Sequence, residues 1–140
     1  MKPQAFVFFG IMGSGKGTQV KLLMDFLKHR DGMESVHAGT GEGFRKLVES
    51  GSYTGSLVKE TIANGHLVAD FLTNAIFTNI LISSLTSEKN LVADGYPRTV
   101  AQSEVFEEMM KFFKHDLVKI IYIEISKDEA MKRNLKRGRH

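Results

Sequence analysis

Gly10-Ile11-Met12-Gly13-Ser14-Gly15-Lys16-Gly17-Thr18 is the stretch that decides the fold. Just before it, Ala5-Phe-Val-Phe-Phe9 is a continuous apolar run of aromatic and β-branched residues, as a fully buried parallel strand carries. Just after it, Val20, Leu23, Met24 and Leu27 recur at helical spacing and predict a helix from about Gly15 to Lys28. Strand, glycine-rich turn, lysine and helix, in that order, form the context of a phosphate-binding loop. The glycines let the backbone curl until successive N–H groups face one hollow, and the helix start adds partial positive charge. Lys16 then reaches the outer phosphates as a point charge. Counting from Gly13, the sixth residue is Thr18 rather than glycine, so the stretch is not a dinucleotide fingerprint.

Working outward, Ser35–Ala38 is a weaker strand candidate. Between Gly41 and Gly65 the pattern is short and glycine-punctuated: Phe44–Val48, a turn at Gly51–Gly55, then Leu57–Ile62. That segment is expected to be a small helical insertion with mobile joints. Leu72, Ile76, Ile80 and Leu81 predict a helix over roughly Asp70–Leu85, and Leu91–Asp94 a short buried strand ending in a carboxylate. Gln102–Lys114 is amphipathic, with Val105, Phe106, Met109, Met110 and Phe113 as its core side. Leu117–Ile125 is the strongest strand candidate, and Ser126 with Glu129 makes a capping box that opens a last helix to about Lys136. Strands alternating with helices imply an α/β fold, a parallel sheet covered on both faces.

A chain of 140 residues makes one domain, and its 42% hydrophobic and 25% charged residues are ordinary for a globular protein. The absence of cysteine excludes a disulfide framework, a thiolate zinc site and a cysteine nucleophile. A net charge of +3 suits an anionic small molecule and does not ask for a nucleic acid. No membrane span is expected, because Asp70, Asn74 and Asn79 interrupt the longest apolar stretch, Leu67–Leu85; a cytoplasmic location is the expectation. His29, His115 and His140 lack ligand spacing and are expected at the surface, and His37 and His66 are no better as metal ligands.

Thr40-Gly-Glu-Gly-Phe-Arg45, Gly65-His66-Leu67-Val68, and Asp94-Gly-Tyr-Pro-Arg98-Thr99 with Gln102 resemble the monophosphate-site motifs of the adenylate kinase family. Gly15-Lys16-Gly17-Thr18-Gln19 is likewise the nucleoside monophosphate kinase version of the phosphate loop, with Gly17 where other such loops place Ser or Thr. The resemblance covers almost the whole chain. It implies a P-loop NTPase-type sheet, with residues 1–39 and 70–136 as the core, 40–69 as a monophosphate-binding insertion and 137–140 as the start of a lid. The implied reaction is Mg·ATP + AMP to two ADP, with ATP and AMP as partners and Mg²⁺ as cofactor. Gly13, Ser14, Gly15, Lys16, Gly17 and Thr18 would bind ATP, with Arg133 as an adenine platform and Arg137 as a phosphate ligand. Thr40, Arg45, Gly65 to Val68, Gly95, Tyr96, Pro97, Arg98 and Gln102 would bind AMP, Gln102 at the adenine edge. Lys16, Arg45, Arg98 and Arg137 would act on the migrating group, and Asp94 would hold Mg²⁺ through water.

Read alone, Arg45 is a solvated charge, Asp94 a cap, and Arg133 a surface partner of Glu129. Thr40 matches adenylate kinases, where pyrimidine monophosphate kinases usually place Ala. Met12, Glu42 and Gly43 replace the family's usual Pro, Asp and bulky apolar residue. A UMP or CMP kinase is one alternative, and a non-catalytic nucleotide-binding module another, because the family's lid, last strand and last helix lie beyond His140. A longer chain would be expected to be a monomer, and a chain of this length to dimerise through the edge Val118–Ile125.

Overall fold

The computed structural model describes residues 2–136; Arg137, expected to contact phosphate, lies outside them, as does His140. Four parallel strands, β1 (Ala5–Phe9), β2 (Ser35–Gly39), β3 (Asn90–Asp94) and β4 (Val118–Tyr122), pair in the order β2-β3-β1-β4. The helices are α1 (Lys16–Asp31), α2 (Gly41–Glu49), α3 (Tyr53–Ala63), α4 (Asp70–Ser84), α5 (Val100–Phe112) and α6 (Lys127–Lys136).

Strand alternation divides the core in two. Ala5 and Val7 of β1, with Leu91 and Ala93 of β3, face Phe77 and Leu81 of α4 and Phe106, Met109 and Met110 of α5. Phe6 and Phe8, with Val92, face Val20 and Leu27 of α1. Helices therefore cover both faces. Central β1 is apolar on every residue because both of its sides are buried. Its register sets Phe8 beside Asp94 and Ile121, so the strand ends that carry the site leave the sheet at one rim. Among the described residues, no helix is long and apolar enough to cross a membrane.

Three expectations need correction. The strand expected over 117–125 runs only over Val118–Tyr122; among the described residues it forms the exposed sheet edge that was expected there, with Ile120 71% and Tyr122 64% exposed. It pairs residue for residue with the five of β1, and the strand ends where that partner ends. On α4 the buried residues are Thr73, Phe77 and Leu81, so of the stripe through Leu72, Ile76, Ile80 and Leu81 only Leu81 is buried. His115 is fully buried rather than superficial: its Nδ1 lies 2.9 Å from the Phe113 carbonyl oxygen and its Nε2 2.8 Å from that of Lys89.

The insertion packs α2 against α3, and a Cβ on Gly55 would fall on the carbonyl of Leu47. Gly43 has a similar cause. A Cβ there would lie 2.6 Å from Cγ2 of Ile76, so the branched side chain on α4 occupies the space that a side chain at this position would need. Alanine in an open helix interior gains about 1 kcal/mol over glycine. Here overpacking of about 1–3 kcal/mol outweighs it, so Gly43→Ala is expected to lower the urea midpoint. A double-mutant cycle with Ile76→Ala should recover a coupling of about 1–3 kcal/mol; a stabilised Gly43→Ala would contradict this packing.

Candidate nucleotide and phosphoryl-transfer site

The loop after β1 turns through a 3.0 Å hydrogen bond from the Ser14 N–H to the Ile11 carbonyl. Gly13 and Gly15 both take φ +88°, a conformation that costs other residues about 1–2 kcal/mol. Gly15 is thereby the N-cap of α1, and the loop's amides and the helix start share a hollow of about 580 Å³ lined by Gly10 to Thr18, Lys21 and Arg98. Ser14 is buried, and its hydroxyl oxygen has no hydrogen-bond partner among the described residues.

From outside, α6 holds the loop. The Arg133 guanidinium donates to the Gly13 carbonyl at 3.3 Å, and the Asn134 amide to that of Met12 at 3.1 Å. A Cβ on Gly13 would lie 2.6 Å from the Ala130 carbonyl oxygen, so only glycine admits this contact. Arg133 also pairs with Glu129 at 3.4 Å, so the surface pairing and the reach to the loop hold together. The Ser126 hydroxyl accepts the Glu129 N–H at 3.1 Å, which is the backbone half of the expected capping box.

Asp94 closes β3 beside this hollow. Lys16 Nζ lies 2.9 Å from its Oδ1, and His37 Nε2 lies 3.0 Å from its Oδ2. His37, above all, and Lys16 hold the carboxyl at about 2, against an ordinary 3.8, despite partial burial. A carboxyl depressed in the folded state contributes stability above its unfolded pKa and loses it as pH falls through the folded one. The window here runs from about pH 5 down to about pH 2. Asp94→Asn is therefore expected to cost about 2 kcal/mol at pH 7, with the difference in urea midpoint closing as pH falls through that window. A difference that persists unchanged at pH 2 would contradict the cause given.

Mg²⁺ fits Asp94 in kind. The carboxylate is ionised at neutral pH and borders the loop, and Mg²⁺ takes one or two carboxylates together with substrate phosphates and waters. Among the described residues no three His, Cys, Asp or Glu gather as a metal cage, so nucleotide phosphates would have to complete the ligand set.

After Asp94 the chain turns at Gly95, whose N–H donates to the Phe8 carbonyl at 3.0 Å. Its φ is +72°, and a Cβ there would lie 2.9 Å from the Arg98 guanidinium and 3.4 Å from Lys16 Nζ. Glycine thus leaves the space in which the two cations converge. Arg98 Nε donates to the Gly95 carbonyl at 2.7 Å, which fixes the guanidinium over this turn. Both cations also line a second cleft of about 830 Å³, whose other walls include Thr40, Arg45, Val68, Ile76 and Gln102.

The other residues expected at the monophosphate divide. Thr40, the N-cap residue of α2, lines the cleft with Arg45, and His66, Leu67 and Val68 line its far side, whereas Gly65 forms the turn behind them. Tyr96 lies in the core, stacked on Phe77 at 4.0 Å between ring centres, with its hydroxyl donating to Asn74 at 2.6 Å. Burial first, and then the nearby Asp70 charge, push its phenol up to about 12. Pro97 borders a separate hollow with Thr99 and Val100. Gln102 is buried and bonds to Arg98 and Asp70.

Sequence reading missed two residues of the site. His37 carried no signal, because its partner lies 57 positions away and is reached only through the parallel register of β2 on β3. Asp70 was visible as the break in an apolar run and as the first residue of a helix, which marks it as special without saying for what.

The profile of the adenylate kinase family matches residues 8–137. The chain is 39% identical to adenylate kinase of Thermosipho africanus over 127 residues, covering 91% of this chain and 56% of that protein. It is 33% identical to that of Bacteroides thetaiotaomicron over 133 residues, 95% and 67% of the two chains. With that of Streptococcus thermophilus it shares 34% over 128 residues, 91% and 56%. It thus spans little more than half the length of most of these relatives. A loop whose Gly15-Lys16-Gly17-Thr18 opens α1, a second cleft sharing its lysine, and similarity over nine-tenths of its residues place this chain in the adenylate kinase family.

Proposed function

We propose that this chain transfers a phosphoryl group reversibly between Mg·ATP and AMP, giving two ADP, in the cytoplasm. The supporting observation is that Lys16 and Arg98 line both the loop hollow and the 830 Å³ cleft, so one pair of cations borders two phosphate sites. Residues 1–39 and 70–136 would be the core that holds ATP, and 40–69 the insertion that holds AMP.

Phosphoryl transfer needs in-line positioning and positive charge around the migrating group, and little covalent help. The loop amides and Lys16 would hold the donor phosphates. Arg45 would grip the AMP phosphate, since a guanidinium matches phosphate oxygens in a bidentate way. Arg98 would bridge donor and acceptor. The acceptor oxygen belongs to a phosphate ionised at neutral pH, so no side chain has to remove a proton. Mg²⁺, beside Asp94, would neutralise charge on the phosphate oxygens.

The test is chromatographic detection of ADP from Mg·ATP plus AMP, with UMP and CMP as competing acceptors. AMP-dependent ADP is the expected result. Binding of both nucleotides with no ADP would reduce the chain to a binding module, and faster transfer to UMP or CMP would overturn the choice of acceptor.

A further inference from the structure

Gln102 is only 3% exposed and lines the acceptor cleft. Its amide lies between two neighbours of fixed polarity. The backbone N–H of Arg98 can only donate, and it reaches Oε1 at 2.8 Å. A carboxylate can only accept, and Asp70 Oδ1 receives Nε2 at 3.0 Å. Turning the amide over would set N–H against N–H at Arg98 and oxygen against oxygen at Asp70. Asp70 is itself held, because Thr99 Oγ1 donates to the same Oδ1 at 2.9 Å while accepting the Gln102 N–H at 3.1 Å. A primary amide offers two N–H groups and two lone pairs. One Nε2 hydrogen and one Oε1 lone pair therefore have no partner among the described residues, on a side chain that borders the cleft.

We infer that Asp70 is a positioning residue that sets base specificity. By holding the Gln102 amide in one orientation, it turns an ambiguous side chain into a fixed donor–acceptor pair. That pair matches a purine edge with a ring-nitrogen acceptor beside an exocyclic amine, as in adenine. It opposes an edge with a ring N–H beside a carbonyl, as in hypoxanthine. A freely turning amide would serve both edges equally. The inference rests on the cleft being the monophosphate site, and it adds a residue that touches the base only through another.

The test is calorimetric titration of the full chain with AMP, IMP and purine riboside 5′-monophosphate, which keeps the ring acceptor but lacks the amine. All three share the ribose phosphate. The expected order is AMP, then purine riboside monophosphate, then IMP, with AMP ahead of IMP by about 30-fold or more. In Asp70→Asn, which can present an N–H to Gln102, AMP is expected to weaken about tenfold while IMP changes by less than about threefold. Equal weakening of both nucleotides would show a merely structural role and overturn the inference. Should Asp70→Asn fail to fold, the wild-type series decides: AMP and IMP within about threefold of each other would mean the amide turns freely. If no monophosphate binds at all, the reading of the cleft fails first. If AMP and IMP bind alike, only the role of Asp70 fails.

Discussion

Lys16→Ala is expected to bind ATP about 10- to 100-fold more weakly, the range for losing a charge-assisted hydrogen bond to a phosphate, while its far-ultraviolet circular dichroism stays as in the wild type. The two halves of this result have separate causes. Folding survives because the Lys16 side chain borders the two cavities and is not part of either apolar core. The glycine turns, the Ser14–Ile11 hydrogen bond and the contacts from α6 are backbone features that do not involve its ammonium. Binding suffers because Lys16 is the loop's point charge, held 2.9 Å from Asp94 at the rim where the hollow meets the cleft. Truncation has a second effect, since it leaves the Asp94 carboxylate with His37 alone and adds negative charge beside the phosphates. Calorimetric titration of both proteins with Mg·ATP reads the affinity directly. An unchanged affinity would mean that the glycine-rich turn is not a phosphate loop.

The phosphate loop was legible in the sequence because its causes are local. Glycine positions, the lysine and the flanking apolar run lie within fifteen residues of one another, and each acts on the backbone next to it. The misreadings arose where the cause lies elsewhere in the chain. On α4, Phe71, Leu72, Ile76, Phe77, Ile80, Leu81 and Ile82 leave the helix apolar nearly all round, so periodicity does not select a face. The polar Thr73 is tolerated inside because its hydroxyl bonds back to the Val68 and Ala69 carbonyls at 3.3 and 3.2 Å. His115 is buried because its two ring nitrogens meet carbonyl oxygens, one of them on Lys89, 26 positions away.

Of the residues expected at the site, Lys16 at the start of α1, Thr40 just after β2, Asp94 at the end of β3 and Arg98 on the turn after it border the cleft. Tyr96 sits in the middle of a contiguous motif, and motif membership does not say which way a side chain turns. Its neighbour Gly95 faces the cations, while Tyr96 itself packs on Phe77. The chain alternates between site and core within one short turn.

Arg98→Ala is expected to lower the rate of ADP formation on the order of 10³-fold or more, as removal of an arginine at a transferring phosphoryl group does. Arg98 is exposed, so truncation opens no cavity, and the 2.7 Å bond from its Nε to the Gly95 carbonyl contributes only about 1 kcal/mol to folding. Its backbone N–H stays in place, so the Gln102 amide keeps its Oε1 partner. The variant therefore separates binding from transfer: affinity for AMP should fall by about tenfold, the cost of one charged contact to its phosphate, and far less than the rate. Arg98→Lys should not restore the rate, because a single ammonium cannot span donor and acceptor oxygens as a guanidinium fork does. The measurement is initial ADP formation at saturating Mg·ATP and AMP, beside calorimetric affinities for each nucleotide. A rate within about tenfold of wild type would remove Arg98 from the transferring phosphate. A loss of AMP affinity with the saturated rate unchanged would make it a binding residue with no part in the transition state.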